Sequence, residues 1–154
     1  MKHFFKQEQL IEASLDEVWN FFADARNLKK LTPSSMNLKV VSELNPYLIY
    51  EGMVIAYYVS PLFRVPMYWE TELVKVDEKR MFIDIQKKGP FKTWHHQHTF
   101  KEVENGVLMV DEVEYELPSG KIGDLFHGIV HQNLRTLFNY RQLQIKSIYN
   151  SSNF

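Results

Sequence analysis

WHHQHTFKEVENGVLMVDEVEYEL, residues 94–117, holds two runs of alternating side chains separated by Asn105-Gly106. An Asn-Gly pair between such runs favours a tight two-residue hairpin, which sets the register of the strands it joins. With Glu104 opposite Val107, Phe100 faces Asp111, His98 faces Val113, His96 faces Tyr115 and Trp94 faces Leu117. Successive side chains of a strand point to opposite faces. Trp94, His96, His98 and Phe100 therefore share one face, with His95, Gln97, Thr99 and Lys101 on the other. In the second run Glu112, Glu114 and Glu116 mark the solvent side. Val107, Met109, Asp111, Val113, Tyr115 and Leu117 then point inward.

Further strand-like runs at 3–13, 37–42, 52–59, 66–76 and 81–86 bring the total to seven. Their separators are turn chemistry: Asn45-Pro46, Ser60-Pro61, Asp77-Glu78 and Gly89-Pro90. Short links between consecutive strands predict an antiparallel meander. After the first strand, Ser14-Leu15-Asp16-Glu17 is a capping-box pattern that opens a short helix through Phe22. A second helical turn at 27–31 stops at Thr32-Pro33, since the residue before a proline is pushed out of the helical region. Pro118-Ser119-Gly120 ends the strands. From Lys121 to about Tyr149 the period is helical, with Ile122, Phe126, Ile129, Val130, Leu137, Tyr140 and Ile148 on one side. A sheet followed by one long helix buries that stripe by curling around it. The expected fold is α+β, a helix-grip with a seven-stranded curved antiparallel sheet, two short helices after strand 1 and a long C-terminal helix. It forms one ligand-binding domain over 1–150, with a polar, frayed tail at 151–154.

On strand 4 the inward set is Met67, Trp69, Thr71 and Leu73. Strand 5 is open: hydrophobicity favours Met81, Ile83 and Ile85 inward, whereas the alternative turns Phe82, Asp84 and Gln86 inward and sets Asp84 across from His96. The inner face then carries His96, His98, Asp111 and Tyr115 among apolar neighbours. An unpartnered buried polar group costs roughly 1–3 kcal/mol, so these groups need partners. One reading is an internal network, His98 with Asp111 diagonally and His96 with the Tyr115 hydroxyl. The other is a ligand pocket with a few orienting polar groups; clustering on the concave face favours it.

The composition narrows the function. With 45% hydrophobic and 24% charged residues the chain is globular in character, and its net charge of −1 gives no global attraction to nucleic acid or anionic membrane. It has no cysteine, which excludes disulfides, thiolate metal sites and a cysteine nucleophile. No apolar run approaches the ~20 residues of a membrane span, and a cytoplasmic location is expected. There is no Gly-x-Ser-x-Gly elbow or Gly-rich phosphate loop, so no cofactor is expected. His127 and His131 have the i, i+4 spacing of a metal pair, but no glutamate follows His127 as in a His-Glu-x-x-His site. Both are expected to face water or a loop, and no metal is expected.

The sequence resembles the START-like, or SRPBCC, superfamily, which includes the birch-pollen allergen and the aromatic polyketide cyclases. The resemblance is carried by Glu17-Val18-Trp19-Asn20-Phe21-Phe22, Asn27-Leu28, Leu31-Thr32-Pro33, Gly89-Pro90-Phe91, Trp94 to Phe100, and Asp111 to Tyr115. It implies a helix-grip fold with a hydrophobic cavity under the last helix, and it supplies no catalytic signature. The candidate ligand-binding residues are Trp69, Thr71, Trp94, His96, His98, Phe100, Asp111, Tyr115, Phe126 and Val130. The expected partner is a small hydrophobic molecule, lipid-, polyketide- or aromatic-like. If the protein is instead a cyclase- or dehydratase-like enzyme, His98 held by Asp111 is the base. A homodimer through Met81, Ile83 and Ile85 is a third expectation, conditional on Asp84 pointing inward.

Overall fold

The structure is a computed structural model that describes residues 1–60 and 64–150. The Ser60-Pro61 separator lies partly outside these residues and the tail at 151–154 wholly so. Strand β1 (Lys2–Ile11) leads into helix α1 (Leu15–Phe22), a 3-10 helix (Ala25–Leu31) and a shorter 3-10 turn (Ser34–Met36). Then come β2 (Lys39–Val40), β3 (Val54–Val59), β4 (Met67–Asp77), β5 (Met81–Lys88), β6 (Thr93–Val103) and β7 (Gly106–Glu116). A single helical turn, α2 (Lys121–Asp124), precedes the long helix α3 (His127–Asn150). The capping box forms as expected: Ser14 Oγ accepts from the Glu17 N–H, and the Glu17 carboxylate accepts from the Ser14 N–H.

The seven strands form one antiparallel sheet in the order β1-β7-β6-β5-β4-β3-β2. Two bulges bend it beside β4 and β5, where the register shifts between Glu70 and Thr71 and again between Leu73 and Lys75. The second shift leaves Val74 as an extra residue. Trp69, Thr71 and Leu73 face the concave side before it, and Val76 does so after it, opposite Phe82. Bulges strengthen local twist, and here the twist helps the sheet curl over α3.

The hairpin differs from the expected register by two residues. Val103 pairs with Gly106, so the loop is Glu104-Asn105, and His98 stands opposite Asp111, His96 opposite Val113 and Phe100 opposite Met109. Gly106 lies at φ 145° as the first strand residue, and a Cβ there would collide with the Ile11 carbonyl at the end of β1. The glycine therefore serves the approach of β1 rather than a turn with left-handed central residues. Because the shift is even, every side chain keeps the face expected for it.

The helical stripe is also different from the expected one. A break at Leu125-Phe126 separates α2 from α3, and the Phe126 N–H reaches back to the Gly123 carbonyl. Gly123 packs so tightly on Pro118 that a side chain there would strike the Pro118 carbonyl. The first turn is thus pinned to the end of β7, and α3 restarts with a new phase. Ile122, Phe126, Ile129 and Ile148 are exposed, and Leu134, Phe138 and Ile145 point into the sheet instead. Phe138, 2% exposed, should lose about 3–5 kcal/mol of stability when changed to Ala. Leu125→Ala, at a site 81% exposed, should change it by less than about 0.5 kcal/mol. Urea unfolding of the two variants checks the stripe.

Candidate functional site

Four polar residues meet on the concave face where β5, β6 and β7 run side by side. Asp84 on β5 pairs with His96 on β6, and His98 pairs with Asp111 on β7. Phe82, Asp84 and Gln86 therefore point inward, which reverses the preference for Met81, Ile83 and Ile85. Hydrophobicity misled that reading because these three apolar side chains stand half-buried on the outer face of the middle of the sheet. A carboxylate becomes tolerable inside because two imidazoles are waiting for it.

The His96 and His98 rings lie side by side, with centroids 3.7 Å apart and planes tilted by 34°, and the two carboxylates flank them. His96 Nε2 is 2.9 Å from Asp111 Oδ1, and His98 Nε2 is 3.0 Å from Asp84 Oδ2. His98 Nδ1 is 3.0 Å from the same Asp111 oxygen, at an angle that makes it an ion-pair contact rather than a hydrogen bond. His96 Nδ1 is 3.7 Å from Asp84 Oδ2. The expected diagonal is thus inverted: His98 is directly opposite Asp111, and His96 reaches it diagonally. The Tyr115 hydroxyl takes no part and has no hydrogen-bond partner.

Arg141 of α3 completes the polar floor. It shares the helix face of Leu134 and Phe138, donates from Nε to the Leu31 carbonyl at 3.2 Å, and acts electrostatically on Asp84 and Asp111. A cation at i+7 from Leu134 and i+3 from Phe138 was the available signal, hidden by the wrong phase of the stripe. Burial alone would push the Asp84 and Asp111 carboxyls up, but the imidazoles against them hold both below the usual carboxylate range. Burial and the neighbouring His98 lower His96. His98 is raised, because its contacts with Asp111 and Asp84 outweigh the burial that would lower it.

These groups face a cavity of about 840 Å³ between the sheet, the 3-10 helix and α3. Trp69, Thr71, Trp94, His96, His98 and Asp111 lie on its wall, as do Asp84 and Arg141. Phe126 and Val130 line it as well, Phe126 with much of its ring open to solvent at the helix break. Most of the remaining wall is apolar, including Ile55, Leu73, Phe82, Leu134 and Phe138. Phe100 and Tyr115 are not on the wall. Phe100 packs against Trp19, Phe22 and Phe82 in the core, and Tyr115 is 0% exposed among Phe91, Trp94, His3 and His127. Burial pushes the Tyr115 hydroxyl up to about 12. The Trp69 indole N–H, also buried, has no hydrogen-bond partner.

His127 and His131 do not face water or a loop. His127 stacks on His3 of β1 at 3.8 Å, and His131 packs edge-on against Phe5. His3 in turn bonds Asp124 at 3.0 Å, fastening the start of the helix to the first strand.

The family model described as polyketide cyclase / dehydrase and lipid transport matches residues 11–139. The chain belongs to this family. Among curated proteins none matches it. The fold is shared with TTHA0849 from Thermus thermophilus, at a TM-score of 0.71 and 17% identity over 99% of this chain and 100% of that one. A START superfamily protein from Mycobacterium smegmatis superposes at 0.71 with 10% identity, over 95% and 99% of the two chains. Ginseng major latex-like protein 151 from Panax ginseng gives 0.69 and 14%, over 97% and 98%. At such identities the likeness is one of fold, and the polar floor of this family member has to be read from its own residues. Removing one member of a buried charged group leaves its partners uncompensated, at about 3–5 kcal/mol. Asp111→Ala should lose that much in denaturant unfolding; a loss below about 1 kcal/mol would mean the imidazoles do not depend on it.

Proposed function

We propose that this protein binds a small, largely apolar molecule, lipid-, polyketide- or aromatic-like, in the cavity beneath α3. The observation that carries the reading is the cavity itself: about 840 Å³ of mostly apolar-walled space with a cluster of charged groups on one floor, Asp24 and Arg64 being the other charged residues on its wall. That volume and that sparse polar content are usual for small-molecule sites. The apolar body would lie against Ile55, Leu73, Leu134 and neighbours. Its polar end would meet the Asp84, His96, His98, Asp111 and Arg141 floor, with the unpartnered Trp69 N–H as a further donor. The family's description, with lipid transport beside cyclisation and dehydration, agrees with such a ligand.

A cyclase or dehydratase using His98 as base draws less support. Two carboxylates favour a proton on His98, whereas a base has to be free to take one.

Burial of each methylene contributes about 0.8 kcal/mol, a factor of roughly four in affinity. A series of straight-chain alcohols competing with an environment-sensitive fluorophore should therefore bind roughly fourfold tighter per added carbon until the cavity is full. Leu137→Trp, which adds an indole to the wall, should shorten the longest chain accepted. Affinity that is flat with chain length, or unchanged in Leu137→Trp, would overturn the reading.

A further inference from the structure

We propose that Asp84, His96 and His98 form a binding site for one divalent transition-metal ion on the floor of the cavity. Among the described residues these three bring one donor atom each to within 4.8 Å of one another. Asp84 Oδ2 lies 3.0 Å from His98 Nε2 and 3.7 Å from His96 Nδ1. Donors on a tetrahedral zinc ion, at about 2.0–2.1 Å from the metal, stand roughly 3.3 Å apart, so small rotations of the side chains would seat an ion. Two imidazoles and one carboxylate suit zinc, iron and their neighbours better than magnesium or calcium, which prefer oxygen alone.

The surroundings are those that a metal site needs. A ligating imidazole is normally held by a carboxylate on its other nitrogen, which fixes its tautomer. Asp111 does this for His96, at 2.9 Å from Nε2, and stands beside His98 as well, 3.0 Å from Nδ1 in an out-of-line ion-pair contact. The two rings consequently present Nδ1 of one and Nε2 of the other toward Asp84. Asp111 is the supporting carboxylate rather than the ligand, because its contact with His98 Nδ1 is out of line while the His98–Asp84 contact is a proper hydrogen bond. Charge agrees as well. A divalent cation there would lie against two largely buried carboxylates, Asp84 and Asp111. The three ligands come from one wall, and the open side of the ion would face the cavity, where a ligand's oxygen could reach it.

The site is tested on the full chain after chelator treatment, with Zn2+ in a calorimetric titration and Co2+ as an optical probe. One ion per chain should bind, and Co2+ should show the ligand-field absorption of a low-symmetry nitrogen–oxygen site. Asp84→Asn and His98→Gln should lose uptake, Asp111→Asn should weaken it about 10–100-fold, and His131→Gln should leave it unchanged. The wild-type Co2+ spectrum needs no variant and so holds even if a substitution unfolds the chain. Absence of that absorption, retention of full affinity in both ligand variants, or loss of uptake in His131→Gln would overturn the proposal. No organic ligand enters the titration, so its failure would leave the cavity reading to be decided by the alcohol series.

Discussion

Phe138 reaches from α3 onto His96, edge to face, with ring centroids 5.4 Å apart. It also touches Phe5 of β1 at 4.8 Å, so one side chain joins the edge strand, the polar floor and the helix. Leu134 and Ile145 extend the contact in either direction along the same helix face. What a single helix cannot do is fill the concavity of seven strands sharpened by two bulges. Phe138 holds the helix at one point, and the space left beside it is the cavity.

The polar floor is stable only as a group. Each charged member alone would be a buried charge without compensation. Together, two carboxylates, two adjoining imidazoles and one guanidinium compensate one another's charge across three strands and a helix. The alternation of β5, β6 and β7 puts them there: Asp84 beside His96, His98 beside Asp111, with Phe82 stacked on the His98 ring at 4.0 Å. The arrangement depends on register, since a slip of any one of these strands by one residue would turn its members of the set to the outer face and leave the others without partners.

Much of this was legible in the chain. The three glutamates of β7 identified the outer face, and the concave placement of His96, His98 and Asp111 followed from period two alone. The register was not legible, because Asn105-Gly106 suggests a turn while Gly106 answers to the Ile11 carbonyl of a distant strand. Asp84 was hidden for a similar reason: its apolar neighbours read as core until its imidazole partners on the next strand are known. Arg141 was lost with the helix phase, which Gly123 resets through a contact with Pro118. Each miss involves a partner remote in sequence or a close backbone approach, which periodicity does not encode.

The placement of β1 beside β7 has a consequence for how the chain folds. Lys2 pairs with Glu116 and Ile11 with Val107, so the first strand made on the ribosome waits for the last. Until β7 emerges, both edges of β1 are unpaired, and Phe4 and Leu10 lie on its outer face. Such non-local pairing is slow to form, because the intervening loop has to close before the contacts return any stabilisation. The meander from β3 to β6 can zip locally, but closure of the sheet is a late event. The cavity, whose roof is α3, exists only once that helix has been made and has docked on the sheet.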